Sequence, residues 1–279
     1  MNQPAEANAP TAGEGVKYHI RCKEGDLPPY VLLPGDPDRT YRIAKYWDEY
    51  EDFAFYREYR TLRGTYKGMP IAATSTGIGT PAGEICLHEL SEVGVKTGIR
   101  VGTTGSISPD FDCGDLIIPV AGLRRDGTTD LYVPKEFPAF ANVEVVMALV
   151  EACQRLGFSY GLGLVCCTAS FYLGQGRPLS EDGYWPSWAD AIIPDLQTAG
   201  VTNFDMDSTG LFVLGYLHGM RIGTIEAVIA SRIHNTWGDR GGELRACQAA
   251  SEALLILKEW DELKEKKGVK HFYPSLLQK

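Results

Sequence analysis

Thr97-Gly98-Ile99-Arg100-Val101-Gly102-Thr103-Thr104-Gly105-Ser106 reads as an apolar strand, carried by Ile99 and Val101, that breaks into a turn of small residues. Glycines at 102 and 105 let the backbone come close to a ligand, and the exposed N–H groups of such a turn can cradle an anion. Arg100 adds a fixed charge whose planar fork matches phosphate oxygens two at a time. The same grammar appears earlier, where the run Tyr30-Val31-Leu32-Leu33-Pro34 ends in Gly35-Asp36-Pro37-Asp38-Arg39. One glycine turn after a strand is ordinarily only a turn. Two of them, each with an arginine, together with Arg57 in Phe55-Tyr56-Arg57-Glu58-Tyr59, read as the parts of one phosphate site.

Outward from that stretch, strands and helices alternate. Met69–Thr74 is strand-like, and after the Gly77-Ile78-Gly79 turn Thr80 can cap a helix with Pro81 at its first position. Ala82, Cys86, Leu90 and Val93 give that helix a buried stripe, and Gly94 suits its C-terminal end. Strands are expected at Leu116–Val120, Leu162–Thr168 and Ile222–Ala230, and helices at about Val143–Leu156 and Ser208–His218. A last long helix follows Gly241-Gly242, with Ala246, Ala250, Ala253, Leu257 and Trp260 on one face. This alternation predicts an α/β protein whose helices cover a largely buried sheet. No Gly-x-Gly-x-x-Gly opens a helix, since Gly77-Ile78-Gly79 is followed by Thr80-Pro81-Ala82, so a nicotinamide cofactor has no support. No Gly-x-x-x-x-Gly-Lys-Ser/Thr occurs either.

Composition sets limits. The 279 residues, 44% of them hydrophobic, are enough for one large core, and nothing demands a second. A net charge of -9 with no basic run argues against a nucleic-acid surface. Met1 to about Gly15 is rich in Ala, Pro, Gly and Asn and reads as a disordered leader to a single domain over 16–279. It has no cationic n-region, and no long apolar segment follows, so neither export nor membrane spanning is expected. Seven cysteines without a C-x-x-C spacing fit reduced thiols in a cytoplasmic protein, with Cys166-Cys167 packed in an apolar run. The five histidines show no metal-site spacing, and His88 reads as structural.

Pro34-Gly35-Asp36-Pro37-Asp38-Arg39, Ser75-Thr76-Gly77-Ile78-Gly79 and Arg100-Val101-Gly102-Thr103-Thr104-Gly105 resemble the signatures of the nucleoside phosphorylases of the purine and uridine type. The resemblance runs from about His19 to about Leu257. It implies a three-layer α/β/α fold around a mixed, partly barrel-like sheet. It implies phosphorolysis of a nucleoside, with inorganic phosphate as co-substrate, no organic cofactor, and a homo-oligomer, a dimer or trimer of dimers, that shares its active sites. Phosphate would be held by Gly35, Arg39, Arg100 and Thr103, with Arg57 reaching the neighbouring subunit's site. Ribose would meet Thr103, Met206 and Asp207, with His19 toward the 5′-hydroxyl. Some relatives bind a monovalent cation near the positions of Glu58, Ile78 and Ala82. Ala82 lacks the hydroxyl used there, so no metal is expected.

The base segment Phe171-Tyr172-Leu173-Gly174-Gln175-Gly176-Arg177 resembles the insert that marks uridine phosphorylases within this family. There the glutamine and arginine address the uracil edge, which needs a donor and an acceptor together. Phe171 could stack on the base, and Thr104, Gly105 and Asp205 would lie beside it. Purine enzymes of the family carry an aspartate late in the chain to protonate N7; Arg232 stands at that place, cannot act as an acid near neutral pH, and suits a uracil carbonyl as a base contact. The sequence also departs from the family. Asp205-Met206-Asp207 replaces the usual Glu-Met-Glu, a reach deficit of about 1.3 Å, and Leu173 and Gly176 replace the usual proline and glutamate. The segment Pro178 to Pro194, with Trp185 and Trp188, reads as a loop that could be a lid, its tryptophans as packing anchors. Three other readings stay open: a purine nucleoside phosphorylase, hydrolysis by water in place of phosphate, and a nucleoside-binding protein without turnover, which the shortened acids make conceivable. Phosphate dependence of base release separates the second, and binding without turnover the third.

Overall fold

The computed structural model describes residues 7–278. It begins with a two-stranded antiparallel ribbon, β1 (Thr11–Gly13) against β2 (Val16–Lys17). The leader expected as far as Gly15 therefore carries a strand over 11–13, while residues 1–6 lie outside the described residues.

The elements that follow are β3 (Tyr30–Pro34), α1 (Arg39–Ala44), β4 (Glu49–Tyr56), β5 (Tyr59–Tyr66), β6 (Met69–Thr74), α2 (Thr80–Glu92), β7 (Thr97–Ser106) and β8 (Leu116–Arg125). They continue as β9 (Ala139–Phe140), α3 (Val143–Leu156), β10 (Tyr160–Thr168), α4 (Ile192–Thr198), β11 (Val201–Asp205), α5 (Ser208–Leu217), β12 (Arg221–Ser231), β13 (Thr236–Trp237) and α6 (Gly242–Lys267). Eleven strands form one mixed sheet. β7 pairs with β12, β12 with β8, β8 with β10, β10 with β11, and β11 with β7 again, so five strands close a partial barrel. An open wing leaves it through β3, β6, β5 and β4.

Side chains alternate across a strand, and β3 shows how this divides the core. Val31 and Leu33 join the apolar layer of α2 and α5, while Leu32 joins the opposite layer with α3 and α6. The stripe Ala246, Ala250, Ala253, Leu257 and Trp260 on α6 is buried in that second layer as expected. α4 closes a third cluster with Ile107, Cys166 and Phe204, against which Trp185 packs; Trp188 is exposed. All seven cysteines are buried and unpaired. Among the described residues no helix is long and apolar enough to cross a membrane.

Two local expectations change. β7 does not break at Val101 but continues to Ser106, because β12 pairs with it along the whole length. Glycine and threonine are weak grounds for a strand on their own, and a partner on the barrel side overrides them. The start of α2 is not capped by Thr80. Gly79 is the cap residue, and its N–H donates across the fold to Asp207 Oδ1 at 2.7 Å. A carboxylate there satisfies a free donor and complements the positive end of the helix.

Candidate active site

A cleft of about 630 Å³ opens where the carboxyl ends of β3, β7 and β11 meet, the place where open α/β sheets bind ligands. Gly35, Arg39, Arg100, Thr103, Thr104, Gly105, Phe171, Gln175, Arg177, Asp205, Met206 and Asp207 all line it. Residues far apart in the chain are thus brought to one cavity. His19, Arg57 and Arg232 do not line it.

Arg100 is buried at the floor, with Nη2 2.7 Å from Asp207 Oδ2 and Nε 3.4 Å from Asp205 Oδ2. Its Nη1 is buried with no partner and faces the Gly35 turn, where a Cβ on Gly35 would stand 3.7 Å from it. The strand beside it is paired, so the anion cradle expected from the N–H groups of 102–105 is not a loose turn. Gly102 has a steric role instead: a Cβ there would lie 3.0 Å from Glu226 Oε1 and 3.2 Å from Arg100 Nε. Asp207 bridges Arg100 and the start of α2. Burial pushes its carboxyl up to about 6, against the pull of Arg100.

Arg39, at the start of α1, donates from Nη1 to the Val101 carbonyl at 3.1 Å and pairs through Nη2 with Glu243 at 2.9 Å. Glu243 also pairs with Arg42, which pairs with Asp36. Arg39 thus reaches the cleft already anchored to the first turn of α6. Asp205 has a structural duty: its Oδ2 accepts from Ser208 N at 2.8 Å and Ser208 Oγ at 2.6 Å, capping α5. Thr104 Oγ1 donates to the Phe204 carbonyl at 2.6 Å and accepts from Asn203, tying β7 to β11. Both line the cleft, with Thr104 Oγ1 and Asp205 Oδ2 engaged by the scaffold.

At the other end, Gln175 Oε1 accepts from Arg177 Nη1 at 2.6 Å, and the same Nη1 donates to the Phe171 carbonyl at 2.8 Å. The Arg177 guanidinium lies 4.2 Å from the centre of the Phe171 ring, a cation–π distance. Burial and the neighbouring Arg232 lower the pKa of Arg177. Arg232 itself donates to the carbonyls of Gln175 and Gly176 at 2.7 and 2.8 Å. It holds the backbone of the base segment and is not among the residues lining the cleft.

His19 and Arg57 lie together on another face. His19 Nδ1 is 2.7 Å from Glu89 Oε1, and its ring stands edge-on to Tyr18 and Tyr59. Arg57 is the first residue of the two-residue turn joining β4 to β5, held at φ 56°, and its guanidinium lies 5.5 Å from the Tyr56 ring. Tyr18 and Tyr56 hydroxyls are 3.4 Å apart and join the two segments.

Four site residues escaped the sequence reading. Glu243 sits in the first turn of a helix, where acids are ordinary. Asn203 and Trp237 carry no motif, although Trp237 lines the cleft and is 70% exposed. Glu226 left a signal, a lone acid within the apolar run Ile222–Ala230.

Comparison with known proteins gives a consistent outcome. The family model of the phosphorylase superfamily matches residues 29–256. The chain is 49% identical to a uridine phosphorylase of Thermococcus kodakarensis, over 97% of each chain. It is 36% identical to the uridine phosphorylase of Escherichia coli, over 77% of this chain and 86% of that one. A guanosine phosphorylase of Halorubrum lacusprofundi is 31% identical over 74% of this chain and 80% of its own. Among solved structures, a purine nucleoside phosphorylase from Toxoplasma gondii in complex with immucillin-H superposes with a TM-score of 0.79 at 28% identity, covering 88% of this chain and 98% of that one. With a family match across most of its length, and a closed five-strand barrel carrying the cleft, the chain belongs to the phosphorylase superfamily.

Proposed function

We propose that this chain catalyses the reversible phosphorolysis of uridine to uracil and ribose 1-phosphate, with pyrimidines favoured over purines. The observation that carries the reading is one cavity with two chemically distinct ends. A buried arginine amino group without a partner faces the Gly35 turn at one end, and the Phe171-Gln175-Arg177 cluster stands at the other. The uridine phosphorylases among the relatives support the same substrate.

Phosphate sits against Gly35, Arg39, Arg100 and Thr103. One of its oxygens attacks C1′ as the C1′–N1 bond breaks, and the bonding pair leaves on uracil, which takes a proton from solvent. The positive charge that builds on the sugar, as in other glycosyl transfers, is met by the phosphate dianion. Gln175 and Arg177 donate toward the base carbonyls, where negative charge develops. Gln175 Oε1 is occupied by Arg177, so its NH2 is the group turned to a carbonyl acceptor. Met206 and Asp207 contact the ribose. Arg57 and His19, away from their own chain's cleft, complete the site of a second subunit, so the working unit is a homo-oligomer. Phosphate is the only co-substrate this chemistry requires.

A panel of uridine, deoxyuridine, thymidine, inosine and guanosine, assayed with and without phosphate, tests the proposal. Uracil release that requires phosphate, with uridine turned over far more efficiently than inosine, is the expected result. Release without phosphate establishes hydrolysis, and equal turnover of inosine or guanosine overturns the pyrimidine reading.

A further inference from the structure

Glu226 lies on β12 opposite Gly102 of β7 and Ile117 of β8, and it has no exposure to solvent. An acid inside a barrel needs partners for both oxygens. Oε2 accepts from Asn203 Nδ2 at 2.8 Å. Asn203 is oriented by Thr104 Oγ1, which gives its own proton to the Phe204 carbonyl and accepts from Nδ2 at 2.8 Å, so Nδ2 is the donor and Oε2 the acceptor. Oε1 has no donor, and Arg100 Nε stands 3.8 Å away, beyond hydrogen-bond distance.

Asp205 presents the matching gap. Its Oδ2 takes Ser208 N, Ser208 Oγ and Asp207 N, while its Oδ1 is buried without a donor. The two side chains converge on one atom, Arg100 Nε, which stands 3.4 Å from Asp205 Oδ2 and 3.8 Å from Glu226 Oε1, and each acid keeps one buried oxygen without a donor. Two acceptors meeting in a buried space are both satisfied by one proton. Three donors on Asp205 Oδ2 stabilise that residue as the carboxylate, which leaves the proton on Glu226.

We propose that Glu226 is a positioning residue of the anion site, a neutral acid whose Oε1–H donates to Asp205 Oδ1, so that Arg100 faces two carboxylates instead of three and keeps charge for an anion. The charged and titratable groups around it are Arg100 from β7, Asp205 and Asp207 from β11 and its end, and the buried Cys167 thiol from β10. β8 contributes only the apolar Leu116 and Ile117 at this level. Burial first, then the Asp205 charge, hold Glu226 well above the usual carboxylate range. With Glu226 ionised, a dianion at Arg100 would meet one further negative charge through a low-dielectric interior. Gly102 makes the arrangement sterically possible, since a Cβ would press on Glu226 Oε1 and Arg100 Nε.

The role of the proton rests on the proposed phosphate site, and the experiment separates the two. Infrared spectra of the whole protein at neutral pH are compared with those of Glu226→Gln, and both proteins are titrated with sulfate, a dianion that carries no proton of its own in this range. A neutral carboxylic-acid band present in the wild type and missing from Glu226→Gln is expected, with sulfate affinity changed by no more than about twofold, because glutamine is an uncharged isostere. Absence of that band overturns the proposal. So does sulfate binding about fivefold or more tighter in Glu226→Gln, the result of removing an ionised acid. If Glu226→Gln does not fold, the wild type still decides: sulfate must shift a neutral-acid band, and no such band overturns the proposal. Sulfate that binds neither protein overturns the anion site itself, whereas sulfate binding without the band overturns only the role of Glu226.

Discussion

Arg100 is held by Asp207 on one side and presents an unpartnered amino group on the other. Arg100→Ala removes a charge-assisted pair worth about 1.5–3 kcal/mol, so kcat/KM for phosphate should fall by about one to two orders of magnitude in steady-state assays, shared between phosphate saturation and kcat. A folded variant with both unchanged would make Arg100 purely structural. Asp207 supplies a pH signature. Its folded pKa of about 6 lies above the ordinary 3.8, so the carboxylate that grips Arg100 is present above that value and lost as pH falls through it. The log of kcat/KM should therefore drop on the acid side near pH 6, and the drop should vanish in Asp207→Asn, whose activity is lower throughout. Stability has the opposite sign. The folded chain binds this proton more tightly than the unfolded one, so the contribution of Asp207 favours folding at low pH and declines as pH rises between 3.8 and about 6. At this scale the sequence was informative because residue type limits chemistry: an arginine after a strand and a glutamine beside an arginine have few uses. Glu226 was harder to see, because its role exists only once β11 and β12 bring Asp205, Asn203 and Glu226 together.

β7 is the element on which the cleft depends, and its composition looks wrong for a strand. Gly102, Thr103, Thr104 and Gly105 suggest a turn, yet all four are paired with β12. The glycines leave space for side chains arriving from elsewhere: Arg100 and Glu226 at Gly102, Arg177 at Gly105. Gly102→Ala should raise the phosphate KM at least about tenfold through displaced Arg100, since the new Cβ lies in a tight contact range that a buried, paired guanidinium relieves poorly. Its circular dichroism should remain that of the parent. The base segment Phe171–Arg177 is fastened in a different manner, through Arg232 to the carbonyls of Gln175 and Gly176. Arg232→Ala should raise the uridine KM by about tenfold, the value of one charged hydrogen bond, and leave phosphate saturation unchanged. An equal effect on both substrates would place Arg232 outside the base end.

His19 and Arg57 share a face joined by Tyr18 and Tyr56, and neither lines the cleft of its own chain. If each serves a partner across a two-fold axis, Arg57→Ala and Arg100→Ala subunits should complement. With random reassortment half of the dimers are mixed, and each holds one site with neither defect. Activity should recover to roughly a quarter of the parent if sites act independently. No recovery after verified subunit exchange would put Arg57 outside the partner's site.

The strands β3, β6, β8, β10 and β12, the helices α2, α3 and α5, the buried stripe of α6 and the residue types of both cavity ends were set by the sequence alone, because side-chain periodicity and turn chemistry are local properties. Tertiary structure decided what depends on partners distant in the chain. Barrel closure turned a glycine-rich turn into strand, Asp207 took the capping place that Thr80 was expected to fill, and Arg232 became a clamp on the base segment. In each case a long-range partner satisfied the backbone or the charge, and no local pattern records such a partner.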